Sequence, residues 1–129
     1  MAFKILEHTA DVGIIAEGPT FEKALEETAQ GMFSLMGKSR PKESIEISTE
    51  RERKDDLVVF LLSEILARCE SENFLPCRMK VLEYRGGKMR VQVLGEYKTL
   101  KNIIKAVTFH MLEVKNEKSS WRIQVLFDI

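Results

Sequence analysis

Residues 77–93, Cys77-Arg78-Met79-Lys80-Val81-Leu82-Glu83-Tyr84-Arg85-Gly86-Gly87-Lys88-Met89-Arg90-Val91-Gln92-Val93, change the rhythm of this chain. On either side of Gly86-Gly87, the apolar residues Met79, Val81, Met89, Val91 and Val93 fall at alternate positions. Period two buries one face of an extended strand, and a glycine pair supplies the backbone freedom of a tight reversal. The stretch is a β-hairpin. It separates a helix-bearing first half from a second half made of strands.

Just upstream the spacing is helical. Leu57, Val58, Leu61, Leu62, Ile65, Leu66 and Cys69 recur at three and four positions, in the most apolar element of the chain and the expected central helix of the core. One of Asp55 and Asp56 is expected to cap it, and both favour the positive end of its dipole. The preceding Arg51-Glu52-Arg53-Lys54 reads as solvated surface. Ile45 and Ile47 alternate with Glu46 and Ser48 in a short strand. Earlier still, Phe21, Ala24, Leu25, Thr28, Met32 and Leu35 or Met36 form an amphipathic helix, capped by Thr20 after Gly18-Pro19 and stopped at Gly37.

Phe3 to Leu6 and Val12 to Ala16 read as two extended pieces around a His8-to-Asp11 turn. Downstream, Ile103 to Val114 and Trp121 to Ile129 read as strands joined by the polar turn Lys115 to Ser120. The order implies an α+β two-layer sandwich, a mainly antiparallel mixed sheet with two helices packed on one face. Residues 1–129 are expected to form a single domain, with no internal repeat, low-complexity tract or linker.

The bulk numbers agree. A chain of 129 residues buries about two-thirds of its unfolded surface around one core. Its 44% hydrophobic and 31% charged residues describe a folded protein with a charged surface. Twenty basic residues offset twenty acidic ones, so no overall positive field draws in a phosphate backbone, and direct nucleic-acid binding is disfavoured. Abundant Lys and Glu with few Asn and Gln point toward a heat-adapted source. Cys69 and Cys77 fit neither a zinc knuckle nor a CxxC pair, and both are expected to be reduced thiols. The amino terminus lacks the long apolar core of a signal peptide, no run reaches membrane-spanning length, and a cytoplasmic protein is expected.

Two clusters carry candidate chemistry. Along the last strand Trp121, Ile123, Val125, Phe127 and Ile129 share one face, and Arg122, Gln124, Leu126 and Asp128 the other. Asp128 thus leaves the core face where the main chain presents the terminal carboxylate of Ile129. Neighbouring anions need a cation or donor, so a hard ion such as calcium, magnesium or manganese is a reasonable occupant; a turn cap or a surface lysine partner is the simpler alternative. Near the other end, Glu7-His8-Thr9-Ala10-Asp11 offers two carboxylates, an imidazole and a hydroxyl, suited to metal binding, to acid-base work or to bonding a turn's own backbone. If the fold joins the clusters, they make an oxygen-rich acidic cavity.

In the penultimate strand, Lys105 stands between Ile104 and Ala106 and must reach water, an edge or an anion; the acidic site is one candidate. His110, on the opposite face of a regular strand, reads first as a satisfied core residue. The methionines at 32, 36, 79, 89 and 111 read as core filler. The sequence contains no Walker loop, GxGxxG, GxSxG or HExxH.

Taken together, Glu7-His8-Thr9-Ala10-Asp11-Val12-Gly13, Ile104-Lys105-Ala106-Val107-Thr108-Phe109-His110 and Phe127-Asp128-Ile129 resemble the archease family. Asp55-Asp56-Leu57 and Gly95-Glu96 extend the match along nearly the whole chain. The resemblance implies a protein cofactor, not an enzyme, for the RtcB-type RNA ligase of tRNA splicing and RNA repair. Such a cofactor promotes guanylylation of the ligase histidine and restores the ligase for multiple turnovers, with GTP and manganese used by the ligase itself.

By motif, Asp11 and Asp128 are the metal-site carboxylates, with the Ile129 terminus beside them and calcium the first candidate ion. His8 is a neighbour, and Lys105 is a candidate contact for nucleotide, ligase or acidic pocket. The Gly95-to-Lys105 stretch is shorter than in many relatives and lacks their usual histidine, so a partner contact through that loop is not carried over. A stand-alone metal-dependent hydrolase built on His8, Asp11 and Asp128, and a chaperone-like interaction protein without site chemistry, are the alternatives.

Overall fold

A computed structural model of the chain describes residues 3–7, 11–101 and 103–129, with the backbone alone at Glu7. Its elements are β1 (Phe3–Glu7), β2 (Asp11–Gly18), α1 (Phe21–Met36), β3 (Glu43–Glu50), α2 (Lys54–Glu72), β4 (Phe74–Arg85), β5 (Lys88–Tyr97), β6 (Ala106–Glu117) and β7 (Ser120–Asp128). The α+β sandwich is present. Its strands divide between two sheets, ordered β1-β2-β7-β6 and β3-β5-β4, instead of joining in one. All the pairings among the described residues are antiparallel. A strand has only two edges, and β5 spends one on β3 and the other on β4, so β6 starts a new ladder on β7.

Helix α1 follows its sequence signals. Thr20 lies in extended backbone and its Oγ1 accepts the Lys23 N–H at 3.1 Å, while Gly37 closes the last turn through its N–H to the Phe33 carbonyl. Gly31 brings α1 close onto β2, because a Cβ there would stand 2.8 Å from Ile14 Cγ2. Helix α2 starts differently from expectation. Its N-cap is Arg53, without a side-chain cap bond, and Asp55 and Asp56 sit inside the first turn. There they complement the dipole but are past the position from which a side chain caps. Leu57, Val58, Leu61, Leu62 and Ile65 are fully buried, and each helix packs against strands of both sheets.

The Arg51-to-Lys54 run is not simply solvated. Lys54 Nζ stands 5.5 Å from the ring centroid of Phe21, 5.7 Å from Tyr84 and 5.5 Å from Trp121. These rings come from α1, β4 and β7, so one ammonium joins the start of α2 to both sheets. Arg51 lies 4.0 Å over the ring of Phe60. Both are cation–π contacts, which draw a cation against a ring face.

Gly95 and Glu96 turn out to be structural. A Cβ on Gly95 would stand 2.1 Å from the Leu75 carbonyl oxygen, so only glycine lets β4 approach β5 there. Glu96 accepts the Arg40 N–H at 2.7 Å and pairs with Lys42, tying the loop after α1 to the sheet. That N–H, with the Lys98 and Lys42 charges, holds its carboxyl below the usual glutamate range against a smaller opposing effect of burial. Both cysteines are free, Cys69 buried and Cys77 half-buried. Burial, then the nearby Glu72, pushes the Cys69 thiol up to about 12.

Lys54→Ala is expected to cost about 1–2 kcal/mol, measurable as a lower midpoint in urea, while Lys54→Arg retains most of the stability. In the native protein at pH 8 a thiol reagent should label Cys77 and spare Cys69 until the chain unfolds. The fold favours the protonated Cys69 thiol, so this contribution is complete below pH 9, where the ordinary thiol titrates, and fades as pH rises toward about 12. A pH titration of unfolding, compared with Cys69→Ala, measures it.

Candidate functional site

The middle of the four-stranded sheet is the β2–β7 pair, whose register runs from Gly18 opposite Trp121 to Asp11 opposite Asp128. Alternation then assigns faces. Val12, Ile14 and Ala16 enter the core with Phe127, Val125 and Ile123, and all are buried. Asp11 and Asp128 fall on the other face, directly across the last rung of the ladder. Side chains so placed have Cβ atoms about 4.5–5.5 Å apart, and like charges there repel.

Asp11 Oδ1 is buried and has no hydrogen-bond partner among the described residues. The side chain of Asp128 is exposed. Taking a carboxylate oxygen from water without a donor is costly, and native structures rarely tolerate it without a ligand or water. The donor chemistry fits a hard divalent cation, which would satisfy the orphaned oxygen and neutralise the facing charge. Among the described residues no group of three or more His, Cys, Asp and Glu gathers at one point. His8 lies outside the described residues. Ile129 follows directly on β7, half-buried.

Lys105 is attached to the same end through its backbone, since its N–H donates to the Asp128 carbonyl at 2.7 Å. Its side chain is exposed and, with Ser63, Leu66, Ala67 and Glu70, lines a cavity of about 220 Å³ between α2 and β6.

Beyond it the penultimate strand departs from expectation. It begins at Ala106 and runs to Glu117, so the turn into β7 narrows to Lys118-Ser119 with Lys118 in the left-handed region at φ 54°. The ladder jumps from Thr108 opposite Leu126 to Glu113 opposite Gln124, leaving Phe109, His110, Met111 and Leu112 against Val125 alone. Met111 takes φ 54°, and the extra residues bulge outward.

His110 is therefore exposed rather than a core residue, and it does not alternate regularly with Lys105. Met32, Met36, Met79 and Met89 are buried as filler, but Met111 is 55% exposed and Phe109 52%. The bulge is braced from beneath. Gln124, on the face expected to be polar, is only 8% exposed and donates its Nε2–H to the Met111 carbonyl at 2.9 Å. Thr108 Oγ1 accepts the His110 N–H at 3.3 Å. The ring of Phe60 on α2 meets Phe109 edge-on, centroids 6.1 Å apart. Phe60, exposed within the buried run Leu57 to Leu62, is the sequence signal of this contact.

Residues 3–129 match the Archease protein family (MTH1598/TM1083). Curated proteins named protein archease include one from Thermococcus kodakarensis, 31% identical over 95% of this chain and 95% of its own length. Another, from Methanosarcina barkeri, is 32% identical over 98% and 95%. Among solved structures, Methanobacterium thermoautotrophicum protein 1598 superposes with a TM-score of 0.85 at 27% identity, covering 99% of both chains. A Thermotoga maritima protein described as an archease and possible chaperone shares the fold, with a TM-score of 0.72 at 23% identity over 98% of this chain and 96% of that one. A family match that runs from residue 3 to residue 129, with curated relatives above 30% identity over nearly the whole chain, means that this protein belongs to the archease family.

Proposed function

We propose that this chain is a protein cofactor of an RtcB-type RNA ligase in tRNA splicing and RNA repair. It promotes guanylylation of the ligase histidine and restores the ligase for further turnovers without joining RNA itself. GTP acts indirectly, through the ligase, and direct nucleic-acid binding is not part of this reading. The observation that carries the reading is the rung formed by Asp11 and Asp128, with a buried carboxylate oxygen left for a ligand, in a chain of this family.

Asp11 and Asp128, with Ile129 beside them, would hold a divalent cation, calcium first, with magnesium or manganese as alternatives. When bound, the ion would invert the local charge and make an acidic tip attractive to phosphate. The chain's own part is positional: the ladder fixes Asp11, whose Oδ1 is buried, and the Lys105 N–H fixes the Asp128 main chain. His8 and the Lys105 side chain are proposed as neighbours or as contacts to partner and nucleotide. None of the described helices is long and apolar enough to cross a membrane, and a cytoplasmic location is part of this reading. A chaperone-like role is the second reading, favoured by the exposed Phe109 and Met111.

Guanylylation of the cognate ligase over many turnovers tests the first reading. Wild-type chain should stimulate it, and folded Asp11→Asn and Asp128→Asn should not; absence of wild-type stimulation, or full stimulation by both variants, overturns it. Metal removal gives an independent readout. In chelator each Asp→Asn variant should melt above wild type by a few degrees, since removing a facing like charge is worth about 0.2–1 kcal/mol. Calcium should then raise the melting temperature of wild type alone. A calcium shift of equal size in the variants would remove these carboxylates from the metal site.

A further inference from the structure

We propose that the bulge of β6, with Phe109 and Met111 at its crest and Phe60 and Arg51 at its flank, is the knuckle by which this chain docks on its protein partner. The identity of that partner rests on the ligase reading above. Its chemistry is read from the surface: an apolar socket edged by carboxylates.

The bulge is built to stand out. A non-glycine residue in the left-handed region costs on the order of 1 kcal/mol or more, and such conformations persist only where their surroundings enforce them. Here the enforcing contact is the Gln124 amide beneath the Met111 carbonyl, a buried polar group whose hydrogen bond serves the bulge. The outcome is three large apolar side chains, 52%, 55% and 41% exposed at Phe109, Met111 and Phe60, on adjoining elements. Scattered exposed apolar residues are ordinary, but a group braced in this way marks an interaction surface.

The local charges select the occupant. Arg51 covers one face of the Phe60 ring at 4.0 Å, and Phe109 meets Phe60 edge-on, so the two rings offer no open parallel platform for successive bases. The Arg51 guanidinium gives Nη1 to the Glu50 carbonyl and keeps further donors for a carboxylate. Along the α2–β6 seam, the cavity lined by Ser63, Leu66, Ala67 and Val107 also holds Lys105 and Glu70, whose opposite charges offset one another. The apolar group with the Arg51 guanidinium at its flank suits a protein segment of apolar side chains beside an acidic one.

Position supplies the link to function. Ala106 stands opposite Asp128, and the bulge opens after Thr108, so its first residue lies about 10 Å along the strand from the acidic rung. A partner seated on the knuckle has Asp11 and Asp128 within reach.

Titration of the labelled full-length chain with the cognate ligase tests this. The double variant Phe109→Ala/Met111→Ala should bind at least about tenfold more weakly with an unchanged melting temperature, and saturating amounts should restore maximal stimulation. Arg51→Glu should weaken binding in the same sense. Wild-type affinity in the double variant, beside normal wild-type stimulation, overturns the knuckle and leaves the cofactor reading standing. Loss in the double variant of a tighter affinity for single-stranded oligouridine, or of a self-association seen by sedimentation, would reassign the surface and also overturn it. A wild-type chain that neither binds nor stimulates the ligase overturns both.

Discussion

The register of β2 on β7 is the constraint on which the acidic end depends. Shifting it by one residue would carry Asp11 into the core and Val12 to the outside. What holds it is the other face: Val12, Ile14 and Ala16 meet Phe127, Val125 and Ile123, and each is buried. Burying a side chain such as Val, Ile or Phe is worth about 1.5–3 kcal/mol. The repulsion of two facing like charges reaches only about 1 kcal/mol. The core therefore wins, and the two carboxylates are held together by residues that never touch them.

The same logic explains how two separate sheets act as one frame. No ladder joins β5 to β6, so the connection is made by the helices, each of which packs on both sheets. At the start of α2 the joint is electrostatic as well as apolar, because Lys54 stands among rings contributed by α1, β4 and β7. At its next turns α2 lies against β6, which sets Phe60 beside Phe109 and the small residues Ser63 and Ala67 beside Lys105. The position of the β6 bulge is thus fixed from two sides, by α2 along the edge and by Gln124 from below.

Much of this was legible in sequence wherever the signal is local. Thr20, Gly37 and Gly86-Gly87 act within a few residues of themselves, and α1 and the β4–β5 hairpin formed where their patterns placed them. The division into two sheets was not legible, because period two reveals a strand but not its partner. Asp11 and Asp128 could be singled out as candidates, and the resemblance joined them, but their shared rung is a fact of long-range pairing. The β6 bulge was hidden for a sharper reason. It rests on a left-handed methionine and on a hydrogen bond from Gln124 to the Met111 carbonyl, and neither residue type signals either feature. Charged runs misled similarly, since the rings that receive Lys54 are distant in sequence.

The end of a ladder is a useful place for two carboxylates of unequal exposure. Asp11 begins β2 and Asp128 ends β7, so backbone pairing fixes both main chains at the end of the ladder. Asp11 presents an oxygen already stripped of water and held by the sheet, a donor whose desolvation is met by folding rather than by ligand binding. Asp128 remains in solvent, free to adjust its rotamer to whatever approaches. In the site proposed above, one fixed donor and one adaptable donor would discriminate poorly between ions but would allow a ligand to be shared with a second protein. That asymmetry is what the proposed cofactor role would use, whereas a closed structural metal site would have all its donors buried and saturated.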